Sequence, residues 1–348
     1  EEIERLVGEY LVDVKGFRTE DKDRLRDQIF EMSRKQFAVV RHYLQHGAWD
    51  YFHFVNIALD RMHHGFWKFM DPRHPDHRPG SRYERVVPDF YLHLDEELGR
   101  LFELLDQDTA VLVVSDHGAQ PLMGGFCLNE WLVQEGLLVL HEYPSEVTPF
   151  AKLRVDWSRT RVWSEGGYYA RVYLNVAGRE PQGVVAPEEL EGLREKIAAR
   201  LEATTGPDGR PLGTVVFRPE SIYREVRGVA PDLIVHCGAL DWRSIGGVGY
   251  EGKLFVREND TGPDDCNHAQ FGAFILAGAN IPPLGELRGA HLLDMAPTLM
   301  EVGGYEIPET FQGKSLFAGS LADAEGAAFS SEGEEIIRQR LSGLGYIS

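Results

Sequence analysis

The apolar run Ala110-Val-Leu-Val-Val-Ser-Asp116-His117-Gly118, which stops on two polar side chains, constrains this chain more than any other segment. Consecutive aliphatic residues of this kind predict a strand buried on both faces, the form that parallel sheets take inside α/β folds. Open α/β sheets keep their ligand sites just beyond the carboxyl ends of such strands. Asp116 and His117 thus bring two metal-ligand types to a position suited to chemistry.

A second run, Phe52-His-Phe-Val-Asn-Ile-Ala-Leu59, also reads as a strand and is followed by Asp60 and, four positions on, His64. That spacing sets both on one side of a helical turn, although His63 leaves open which imidazole would bind. A third nitrogen ligand, His268, precedes the strand-like Phe271-Gly-Ala-Phe-Ile-Leu276. Around these, residues 21–45 and 83–105 carry apolar positions at helical spacing, and helix alternating with strand favours a mainly parallel sheet flanked by helices. Residues 144–230 change character, with β-like Tyr168–Val176, a helix from Pro187 and a strand near Val215. They predict an inserted α+β cap between a first core part (1–143) and a second (231–320), with a helical tail at 321–348 that includes a helix over Phe329–Leu344. A Gly-rich passage, 245–252, suits a loop over a site.

Composition narrows the function. A formal charge of −19 argues against binding a nucleic-acid polymer, which needs a basic footprint. No apolar run is long enough to span a bilayer, so no membrane partner is expected. Cys127, Cys237 and Cys266 are widely spaced, which argues against a disulfide framework and for a reducing, cytoplasmic setting. Association into a homo-oligomer is left open. The opening Glu1-Glu-Ile-Glu lacks Met and a preceding strand, and an N-terminal portion is expected to be missing.

Each ligand pair has a bland reading as a turn former or a surface pair. Together, two acid and His groups at strand ends plus a late His match a two-metal hydrolytic site assembled from distant segments. Histidine and aspartate ligands suit Zn²⁺ first, with Mn²⁺ or Fe as alternatives. Arg73-His74-Pro-Asp76-His77 is metal-like in composition but reads as an exposed loop, and His53 and His93 read as packing or surface residues; Asp260, Asp264 and Asp265 read as solvated loop groups near His268, with the orienting of a metal ligand as their alternative role.

At these residues the chain resembles the alkaline phosphatase superfamily, closest to its type I phosphodiesterase/nucleotide pyrophosphatase branch and the related phosphohydrolase/phosphomutase group. The resemblance rests on Asp60-Arg-Met-His-His64-Gly, Val113-Val-Ser-Asp116-His117-Gly118, His268-Ala-Gln-Phe-Gly-Ala-Phe-Ile-Leu276, Asp294-Met-Ala-Pro-Thr298-Leu with Gly313-Lys-Ser-Leu316, and Tyr173-Leu-Asn175 through Gly178-Arg-Glu180. It implies a metal-dependent phosphoric ester hydrolase, a phosphodiesterase or phosphatase acting on a small phosphorylated metabolite or nucleotide. Asp60, His64 and His268 would hold one divalent ion, and Asp116 and His117 the other. The Thr or Ser nucleophile would lie upstream of residue 1. A phosphomutase with the same metals, or an inactive fragment lacking the nucleophile, are the alternatives.

Overall fold

Apolar side chains three and four residues apart dominate residues 1–105, and this part of the chain is helical. The computed structural model describes residues 1–257, 260–278 and 281–317. It begins with α1 (Glu2–Val7), α2 (Lys22–His46), α3 (Ala58–Met70) and α4 (Val86–Phe102). Asp21 caps α2 by accepting from the Arg24 N–H. Leu25, Ile29 and Met32 of α2 meet Met62, Phe66 and Phe69 of α3 and Val87 and Phe90 of α4 in one buried cluster.

The strand expected over Phe52–Leu59 does not form. Residues 51–57 hold no regular element, and α3 already starts at Ala58. Asn56 supplies a physical reason: its carbonyl accepts from the Ala58 N–H at 3.2 Å and its amide reaches Gln36 at 3.1 Å. Such local bonds start a helix at the expense of a ladder.

Farther on come β1 (Ala110–Val114), β2 (Gly118–Pro121), β3 (Gly124–Cys127), α5 (Leu128–Gln134), β4 (Val162–Glu165), β5 (Ala170–Leu174) and α6 (Leu190–Glu202). They are followed by β6 (Val215–Phe217), α7 (Pro219–Ile222), β7 (Leu233–His236), β8 (Trp242–Ile245), β9 (Phe255–Val256), β10 (Cys266–Ala269), β11 (Phe274–Gly278) and α8 (Met295–Val302). The chain is therefore mixed α/β, but the mainly parallel sheet is not what the described residues build. Among their strand pairs only β3–β8 is parallel. A parallel neighbour needs a long, usually helical crossover, whereas α2, α3 and α4 follow one another with no strand between them.

Two units divide the chain. The first, residues 1–105 and 117–273, holds the helical cluster, the β2–β10 pair, the sheet β8-β3-β9 and the sheet β4-β5-β7-β6. Alternate residues of β5, Ala170, Val172 and Leu174, point into a second core with Leu233 and Val235 of β7 and Leu193, Ile197 and Leu201 of α6. Arg179 braces this sheet by donating to both oxygens of Asp232, which also accepts from the Leu174 N–H at 2.7 Å. The Gly-rich passage is tied down by Glu130, whose Oε1 accepts from the Gly249 and Tyr250 N–H groups and from the Tyr143 hydroxyl, each at 2.7 Å.

The second unit holds residues 106–116 and those from 274 on. Here β1 pairs antiparallel with β11, Leu112 opposite Leu276. With β11 as its one neighbour among the described residues, β1 leaves Val113 and Val114 exposed instead of buried on both faces. The Asp294 and Gly313 segments zip together: the Lys314 N–H donates to Asp294, and the Leu316 N–H to the Thr298 hydroxyl, both at 2.9 Å. The helix expected over Phe329–Leu344 lies outside the described residues. No helix among the described residues is long and apolar enough to cross a membrane.

Candidate metal centre

Helix α3 carries both Asp60 and His64, one turn apart, as their spacing predicts. Gly65 follows, and a Cβ there would run into the Leu25 side chain, so glycine lets α3 lie close on α2. His268 is placed by β10, not by a loop, through antiparallel pairing with Ala119 of β2. Gly118 permits this local path, since a Cβ on it would collide with the Phe271 carbonyl.

Three ligand atoms meet there. Asp60 Oδ1 lies 3.4 Å from His64 Nε2 and 3.5 Å from His268 Nε2, and the two nitrogens are 3.3 Å apart. Ligands about 2.0–2.1 Å from a tetrahedral zinc stand about 3.3–3.4 Å from one another, so this triangle fits one face of such a coordination sphere. A ligand atom of His117 also groups with those of Asp60 and His268, all within 4.8 Å of one another. The His117 and His268 rings stack at 3.7 Å, and His117 Nδ1 donates to the Gly118 carbonyl at 2.9 Å. That bond leaves Nε2 as the lone-pair nitrogen of a neutral ring.

Electrostatics favour an ionised Asp60. Burial opposes its charge, but hydrogen bonds from His268 and His64, with the charge of Arg61, hold its carboxyl far below the usual range. Arg61 is itself fixed as a fork on Asp13, at 2.9 and 2.8 Å, while its other arm reaches Asp60 at 2.6 Å. Burial likewise opposes charge on His64, yet Asp264 and Asp60 outweigh it and raise the imidazole to about 9. Binding a cation here therefore displaces a proton in the neutral pH range.

The two adjacent histidines have different partners. His63 faces Tyr91, 3.2 Å from its hydroxyl, and burial pushes it down to about 4. Asp116 ends the first segment of the second unit, whereas Asp60, His64, His117 and His268 all belong to the first. Asp264 corrects the solvated-loop reading: its side chain is fully buried, Oδ1 accepts from His64 Nδ1 at 2.6 Å, and Oδ2 accepts from Arg18 at 3.0 Å. Asp265 is buried too, 3.2 Å from Lys68. His74, expected in an exposed loop, is also buried, whereas His53 is exposed and His93 bonds Ser33 at 3.1 Å.

Arg18 and Tyr168 were not singled out as site residues from the sequence, and Asp264 stood there only in an alternative role beside solvation. One signal was available for Asp264: Asp264-x-x-x-His268 repeats the spacing of Asp60-x-x-x-His64. The structure uses it crosswise, with Asp264 serving His64.

The family profile described as type I phosphodiesterase / nucleotide pyrophosphatase matches residues 3–264. A search of curated proteins returned no match.

Proposed function

Because the chain belongs to the type I phosphodiesterase/nucleotide pyrophosphatase family, within the alkaline phosphatase superfamily, we propose that it is a metal-dependent phosphoric ester hydrolase acting on a small phosphorylated metabolite or nucleotide. The observation that carries this reading is the triangle of Asp60, His64 and His268, whose edges of 3.3–3.5 Å suit a divalent ion. Asp60, His64 and His268 are proposed to hold one ion and Asp116 and His117 a second, with Zn²⁺ preferred over Mn²⁺ or Fe on ligand type.

Bound there, divalent ions would supply Lewis acidity, lowering the pKa of an attacking hydroxyl and offsetting charge that develops at phosphorus. The chain's own residues prepare for this. Asp264 holds the proton of His64 on Nδ1 and leaves Nε2 to face Asp60 and His268. Arg61 keeps one Asp60 oxygen occupied at 2.6 Å, so the other is presented to the site. A strongly acidic chain disfavours polyanions, which supports a small substrate over a nucleic-acid polymer. Three free, buried cysteines support a reducing, cytoplasmic setting.

The test pairs calorimetric Zn²⁺ and Mn²⁺ titration with hydrolysis of bis(4-nitrophenyl) phosphate. Metal-dependent turnover that chelator abolishes and Asp60→Asn removes is the expected result. Failure of both metals to bind would overturn the reading, and tight binding without turnover would favour a non-catalytic metal protein.

A further inference from the structure

Arg18 precedes α2 in a loop, yet it touches the partners of two histidines contributed by different elements. Its Nε donates to Asp264 Oδ2 at 3.0 Å, and Asp264 Oδ1 receives the His64 Nδ1 proton at 2.6 Å. Its Nη2 donates to the Tyr168 hydroxyl, also at 3.0 Å, and the Tyr168 ring stacks on His268 at 4.0 Å, inclined by 26°. Tyr168 belongs to a column: the Arg243 guanidinium lies 5.0 Å from its ring centre, and His117 stacks on His268. Arg18 also lies over Phe17, whose ring tilts against His64 at 5.8 Å.

We propose that Arg18 is a positioning residue that sets both His64 and His268 for metal binding, one through Asp264 and the other through Tyr168. This rests on the metal reading above. A guanidinium can do this because its donors are rigidly spread in a plane, so fixing one arm on a carboxylate fixes the direction of the other. An ammonium is a single point and cannot span the two partners in the same way. The side chain of Asp264 is wholly buried, so removing Arg18 leaves its carboxylate with one fewer counter-charge and the tyrosine hydroxyl with one fewer donor. Partners that orient ligand histidines typically change metal affinity by about 10–100-fold when lost.

The experiment compares the parent chain with R18M, R18K and Y168F in two measurements. In metal-free protein, side-chain ¹H–¹⁵N spectra of the imidazoles should move for both His64 and His268 in R18M and leave His93 in place, whereas Y168F should move His268, on which its ring stacks at 4.0 Å, more than His64, whose ring lies 5.7 Å away. With Zn²⁺ as the titrant, R18M should bind about ten-fold or more weakly, and R18K should recover only part of the loss. An unmoved His268 in R18M, or equal Zn²⁺ affinity in R18M and parent, would overturn the proposal. If the parent itself bound no Zn²⁺, the hydrolase reading would fall while the imidazole spectra still decided the coupling. Should R18M not fold, Y168F, which keeps the ring and loses only the hydroxyl, carries the His268 arm alone: an unmoved His268 resonance overturns it.

Discussion

His74 illustrates how one side chain can look like a ligand in sequence and serve another end. Its Nδ1 accepts from the Asp76 N–H at 3.0 Å, which leaves a proton on Nε2, and that atom is buried with no acceptor among the described residues. Burial pushes its pKa down to about 4, against about 6.5 for a free imidazole. As acid is added the unfolded chain takes up this proton first. The stability it contributes is therefore whole above about pH 6.5 and is lost as pH falls toward 4. His74→Asn keeps an acceptor for Asp76 without the titration. Its melting temperature should fall less steeply than the parent's between about pH 7 and about pH 4.5, and parallel curves would contradict the assignment.

At the scale of elements, what the sequence makes legible depends on how local the cause is. The i,i+4 pair on α3 was readable because helical spacing alone decides it, and α2 and α4 followed from periodicity for the same reason. Asp60, His64, His117 and His268 were readable as residue types ahead of any geometry. The missing strand at 52–57 and the antiparallel sheets were not, because Asn56 bonding and strand partners far along the chain override a short apolar run. For Asp264 solvation was favoured over the orienting role because burial of a loop carboxylate depends on Arg18, almost the full length of the first unit away in sequence. The close approach of α3 to α2 can be probed directly. Gly65→Val would push into Leu25 and should cost about 1–3 kcal/mol by urea denaturation, with weaker Zn²⁺ binding because α3 carries two of the proposed ligands. Unchanged unfolding midpoints would count against the packing argument.

For the molecule as a whole, charge sets the approach of substrate. Under the proposed function, a chain at −19 would repel an anionic phosphoester at long range, and the attraction would have to come from the cations proposed for the site. Salt screens the repulsion over about 10 Å at 0.1 M, while ions at close quarters are screened much less. KM for an anionic phosphodiester should therefore fall, with kcat steady, as KCl rises from about 10 to about 150 mM. A rising KM would mean that local attraction already governs encounter. The neighbouring carboxylates Asp264 and Asp265 carry a different consequence, one for how this family member can diverge. One is committed to His64 and the next to Lys68, while the Asp265 N–H holds the His64 carbonyl at 2.9 Å. A single residue gained or lost between Asp264 and His268 would turn the imidazole to the opposite face of its strand.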